Sequence, residues 1–165
     1  MQGKWAEAGV PHKGWTCVGV HDLEQERQTC EMCEGQEIRY VHAMEHPEHP
    51  GTLSVGCVCA GHMEADYEGA KKRERAVRNT ASRKSRWLSR KWKTSAKGNS
   101  YLTTRDQFHV VVFPANPART EWSARVEDKA TAAAIYSRRT YPTQDQAKLA
   151  AFDAIIALKS RRESS

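Results

Sequence analysis

The alternation of apolar and polar positions divides the chain into stretches of different period. Trp15-Thr16-Cys17-Val18-Gly19-Val20 is rich in strand formers and predicts a first β-strand. Glu37-Ile38-Arg39-Tyr40-Val41-His42 alternates, a turn of His, Pro and Gly follows at 46–51, and Thr52-Leu53-Ser54-Val55-Gly56 alternates again, which predicts a hairpin. From Met63 the period becomes helical for about 30 residues, with Tyr67, Ala70, Val77, Ala81, Leu88 and Trp92 forming one narrow apolar stripe. Asn79-Thr80-Ala81-Ser82 are weaker helix formers, so a break is expected there, with a second helix from Ser82 to Ala96 stopped by Gly98. Within it Trp92 is expected in the core, and Trp87 is open between core and surface.

Three strands follow: 107–113 with a lead-in at 101–103, then 122–127, then 135–141. In the middle one Trp122, Ala124 and Val126 alternate with Ser123, Arg125 and Glu127, as in a strand with one buried and one wet face. Thr143-Gln144-Asp145-Gln146 is a capping box that opens a final helix through Ala147, Ala151, Phe152, Ile155 and Leu158. The whole reads as an α+β protein ending in a three-stranded antiparallel sheet packed by one helix, with residues 161–165 as a frayed tail.

Composition adds a constraint. Of 165 residues 39% are hydrophobic and 28% charged, so the core is expected to be divided or assisted by a metal. No apolar run approaches the ~20 residues of a membrane span, and the start lacks the apolar stretch of a signal peptide, so a soluble cytoplasmic protein without a membrane partner is expected. The net charge of +6 hides a strong segregation. Residues 1–70 carry 4 basic and 12 acidic side chains, residues 71–97 carry 12 and 1, and residues 98–165 carry 10 and 7. A basic density of that order attracts phosphate if exposed. The other reading is a solvated helix face, or a linker docked on the acidic third.

Five cysteines, four in close pairs, point to metal ligation in a reducing compartment. The two-residue gap of Cys30-Glu31-Met32-Cys33 lets both thiolates reach one tetrahedral zinc. Cys57-Val58-Cys59 follows where the second hairpin strand ends and a helical pattern begins. The assignment is Zn²⁺ on Cys30, Cys33, Cys57 and Cys59, with His62, three residues beyond Cys59, as the alternate ligand. Cys17 is expected in the core. Knuckle, hairpin, ligand pair and helix, in that order over residues 29–74, resemble a treble-clef zinc finger. The same skeleton carries the His-Asn-His nucleases, and that resemblance implies His42 as general base, His62 as ligand of a catalytic metal, and His46 or His49 as an accessory group. The module's own net charge of −8 would repel the phosphate to be cut, which favours binding over catalysis.

The C-terminal part, on Trp122-Ser123-Ala124-Arg125-Val126 and on Thr140-Tyr141-Pro142-Thr143 leading into Ala147, Ala150, Phe152, Asp153 and Ala154, is similar to the DNA-binding domain of plant ethylene-response factors and its bacterial and phage relatives. That resemblance implies groove contact by Arg125, with Arg138 and Arg139 on phosphates. The order of a long helix, three strands and a final helix also resembles the double-stranded RNA-binding domain. The organisation expected is therefore an acidic zinc module at 1–70, a basic helical connector at 71–98 and a sheet-plus-helix domain at 99–160. The function expected is non-catalytic nucleic-acid binding, DNA rather than RNA, through Arg83, Lys84, Arg86, Arg90, Lys91, Lys93, Lys97, Arg125, Arg138 and Arg139. Trp87 and Trp92, interleaved with these cations, have the pattern of a stacking platform. Two alternatives stand beside it: a metal-dependent nuclease, and a protein-interaction module presenting the acidic finger.

Overall fold

A computed structural model describes residues 2–164 and has mixed α+β architecture. The chain divides into two units, Met1–Ser82 and Arg83–Ser165. The boundary falls inside the basic segment, so that segment is shared between the units rather than standing as a connector of its own.

In the first unit β1 (Thr16–Asp22), β4 (Tyr40–His46) and β5 (His49–Val55) form an antiparallel sheet in the order β1-β4-β5, while the short strands β2 (Gln28–Thr29) and β3 (Glu37–Ile38) pair separately. The predicted hairpin is therefore present, and longer than its alternation suggested. The β1 register slips between Cys17 and Gly19, and the intervening Val18 is thrown outward to 55% exposure. Cys17 itself packs partly buried against the core. Two helices follow, α1 (Cys57–Met63) and α2 (Tyr67–Trp87). They are separated because Ala65 adopts a positive φ of 56° and Asp66 Oδ1 accepts the Gly69 backbone N–H at 2.9 Å, the action of an N-terminal cap.

The expected break at 79–82 is not there. The helix α2 runs through it, and Thr80 Oγ1 donates to the Ala76 carbonyl at 3.1 Å, so a weak helix former is accommodated by bonding back along its own turn. The expected second helix is also absent: α2 stops at Trp87, and Lys93–Thr94 forms strand β6.

In the second unit β6, β7 (Ser100–Thr103), β8 (Phe108–Pro114), β9 (Trp122–Asp128) and β10 (Ala133–Tyr136) make an antiparallel meander of five strands, not three. The lead-in at 101–103 is a full strand, and β6 pairs with it across a turn containing Gly98 at φ +80°. Two residues of Lys and Thr carry no apolar alternation by which to be recognised. The expected third strand ends early, at Tyr136, and Tyr141 returns as a single bridge to Trp122.

Helix α3 (Gln144–Glu163) lies across this sheet, opened by Thr143, whose side chain accepts from the Gln146 N–H at 3.2 Å. Ala147, Ala151, Phe152, Ile155 and Leu158 meet Phe108, Val110, Val112, Trp122, Ala124 and Val126 in one core. Trp87 belongs to that core at 3% exposure, donating its indole N–H to the Lys148 carbonyl at 2.7 Å, whereas Trp92 is only partly buried. The tail expected from 161 is helical as far as Glu163. Arg162 pairs with Asp128, which is 2% exposed and whose carboxyl the guanidinium holds down at about 2. Ser165 lies outside the described residues. Among the described residues no helix is long and apolar enough to cross a membrane.

Candidate metal centre and basic surface

The cysteine centre is built by backbone constraints around a tight turn. Between β2 and β3, Cys30 N–H donates to Gln36 O and Glu34 N–H donates to Cys30 O, both at 2.8 Å, and Glu34 itself turns the chain at φ 54°. From α1, whose N-cap is Gly56, Cys59 faces this turn. The sulfurs of Cys30, Cys33 and Cys59 all lie within 4.8 Å of one another. Tetrahedral zinc with bonds of about 2.3 Å separates its sulfur ligands by about 3.8 Å, so the three need only draw in slightly.

Their electrostatics suit a metal. A hydrogen bond from Cys59 pulls the Cys30 thiol far below its ordinary value and pushes Cys59 up, and the backbone N–H of Gly56 donates to Cys30 Sγ at 3.5 Å. The two sulfurs compete for one proton, and a cation in that place removes the competition. The donor set fits zinc chemistry, and these three residues could hold a metal.

The N-terminal segment closes over this turn. Lys4 N–H donates to Met32 O at 2.8 Å, and Gly3 has φ +66° with its Cα so near the turn that a Cβ would fall 2.6 Å from the Cys33 carbonyl carbon. Trp5 is close enough to Cys59 to favour its thiolate and stands edge-on to His62 and His12, at ring separations of 6.4 and 5.3 Å. The sequence offered no ligand pattern at Gly3 or Trp5, so their part in covering the thiols was not readable from spacing. His62 is on the exposed side of α1, outside the trio.

Cys57 is placed elsewhere. It groups with His42 and Glu74, each offering a ligand atom within 4.8 Å of the other two. His42 is fully buried, with Nε2 3.0 Å from Glu74 Oε2 and Nδ1 without a partner, while Arg78 donates to Glu74 Oε1 at 2.9 and 2.6 Å. A buried nitrogen left unpaired costs about 1–3 kcal/mol. Burial works to raise the Glu74 carboxyl, but the hydrogen bonds from His42 and Arg78 outweigh it and hold the carboxyl below its usual range. Burial, with the Glu74 charge beside it, pushes the Cys57 thiol up to about 11. Glu74 is the one acid in the basic segment, which is the only signal the sequence gave of its role. His42 and His62 do not share a cluster, and His46 and His49 instead both pack against Trp15, at ring separations of 5.3 and 5.1 Å.

The basic candidates fall into tied and exposed groups. Lys84 is tied to Asp153 at 2.9 Å and Arg125 to Glu127 at 3.2 Å, with Tyr136 beneath the guanidinium. Arg83, Arg90 and Arg139 lie over the rings of Phe152, Trp87 and Tyr141. Arg83, Arg86 and Arg90 rim a cavity of about 380 Å³ whose wall includes Trp87 and Phe152. Lys91, Lys93, Lys97 and Arg138 are exposed and have no ion-pair partner among the described residues.

Compared with models of protein families, with curated proteins and with solved structures, the chain matches none.

Proposed function

We propose that this chain is a non-catalytic nucleic-acid-binding protein whose N-terminal unit is held by zinc. The observation that carries the reading is that Lys91, Lys93 and Lys97 are exposed and have no ion-pair partner among the described residues. Cations without carboxylate partners are free to displace counterions from phosphate, and that release supplies affinity independent of base sequence. Lys84 and Arg125 contribute less, since each would first have to leave an acid. The similarity of the second unit to the ethylene-response-factor domain directs the reading to DNA, with Arg138 and Arg139 at its margin.

Zinc sits on Cys30, Cys33 and Cys59 in a treble-clef arrangement, and His62, one helical turn after Cys59, completes the set by turning inward. Its role is to fold the acidic unit, not to react.

Titration of the zinc-loaded chain with labelled duplexes and single strands over a range of salt tests the binding. Replacing Lys91 and Lys93 together by Ala should weaken binding to every sequence alike and lower the salt slope by about 2, about 1 for each lost phosphate contact. An unchanged slope removes these lysines from the interface. Absence of binding at low salt would overturn the reading in favour of a protein partner for the acidic unit.

A further inference from the structure

The geometry points to a second metal site, distinct from the cysteine trio, in which Cys57, His42 and Glu74 hold a zinc-class divalent ion with three protein ligands. The three come from separate elements, α1, β4 and α2, and converge although 32 residues separate His42 from Glu74. Each supplies a different donor: sulfur, imidazole nitrogen and carboxylate oxygen. That mixture suits a borderline cation such as Zn²⁺ and does not suit Mg²⁺ or Ca²⁺, which take oxygen ligands.

Three further observations agree. His42 is fully buried, with Nε2 on Glu74 Oε2 and Nδ1 without a partner, so no protein group on the far side of the ring fixes its tautomer and Nε2 is free to serve as a ligand. Arg78 grips the Glu74 oxygen that His42 does not contact, fixing the carboxylate from outside as second-layer partners of metal ligands do. Cys57 and Glu74 also line a cavity of about 520 Å³ shared with Arg27, Arg39 and Arg78, which gives the ion an entry path and leaves its fourth position to water. Structural zinc sites are closed by four protein ligands, so an open fourth position sets this site apart from the cysteine trio.

The test is metal stoichiometry on the full chain, loaded with zinc, dialysed and measured by plasma mass spectrometry, with circular dichroism to verify folding. Two equivalents are expected in the wild type, and one in both Cys57→Ala and Glu74→Gln. Glu74→Gln keeps the shape and the contact with His42, so it separates loss of a ligand from loss of packing. Cobalt substitution gives a second readout: Cys57→Ala should lose about a quarter of the thiolate-to-metal absorption, one sulfur of four, while Glu74→Gln loses one cobalt and that same share. One equivalent in the wild type, weakened by Cys57→Ala and indifferent to Glu74→Gln, would overturn the proposal and return Cys57 to the trio. One equivalent indifferent to both variants would overturn it as well, leaving a structural His–Glu–Arg network. Neither outcome touches nucleic-acid binding, which is read from the salt titration alone.

Discussion

The two units are almost equal in length and differ in what fills them. The second, Arg83–Ser165, has a core of Phe, Trp, Val, Ile and Leu in which one helix covers a five-stranded sheet. The first, Met1–Ser82, fills its interior with Met32, Met44, Met63, Trp15 and the sulfurs of Cys30 and Cys59, around a sheet of three strands and a helix of seven residues. Methionine packs adaptably and specifies geometry weakly, so a unit built on it needs another constraint. The thiols of Cys30, Cys33 and Cys59 bring the loop between β2 and β3 and the start of α1 to one place, where they could hold a metal. The two halves thus differ in what is available to hold them: a large apolar core in the second, and in the first a sulfur-rich core with a group of thiols that could hold a metal.

Removing the metal proposed for the cysteine trio should separate the two halves most sharply. Structural zinc contributes on the order of 10 kcal/mol to folding, more than a unit of this size commands by burial alone. A strong chelator, or Cys30→Ser, is therefore expected to unfold the first unit and leave the second native. Protection of backbone amides from exchange reads this unit by unit: loss in β1, β4 and β5 with protection kept in β8 and β9. Retention of native protection in both halves without metal would erase the distinction.

The converse break is smaller. Phe152 is 2% exposed, meets Trp87 edge-on at a ring separation of 5.4 Å and belongs to the second core. Its replacement by Ala should cost about 3–5 kcal/mol through the cavity it leaves, seen as a lower melting midpoint of the second unit only. A matching loss in zinc affinity would show that the two units are energetically coupled.

How much of this was legible depended on the kind of signal. Where a segment has one wet and one buried face the pattern was clear: β9 keeps the alternation of Trp122, Ala124 and Val126, and α3 opens at the Thr143 cap. Segments set by pairing rather than by their own pattern were not: β6 is Lys93–Thr94, and only its neighbour β7 makes it a strand. The helix α2 passed through weak formers because tertiary context outweighs a few tenths of a kcal/mol of propensity. At the site the spacing of Cys30 and Cys33 named the turn correctly, and Cys59 joined it. Cys57, two residues away on the same helix, points to another group, since positions i and i+2 on a helix lie on different sides. Glu74 could be found only in three dimensions, its partners being 32 and 17 positions earlier.

The smallest effect offers the finest discrimination. Thr143 caps α3 through one hydrogen bond, 3.2 Å to the Gln146 N–H, and the side chain is otherwise exposed. Thr143→Ala should cost about 1 kcal/mol, because one orphan donor of the first turn loses its partner to water. That change touches no apolar contact, so it measures how far the second unit's stability is carried by its helix end and how far by its core. If the core dominates, the midpoint falls by a few degrees while exchange in β8 and β9 still follows global unfolding. Fraying that spreads from Gln144 to Ala151 before the sheet opens would mean that α3 docks as a separate step, and that burial in this half is assembled piecewise.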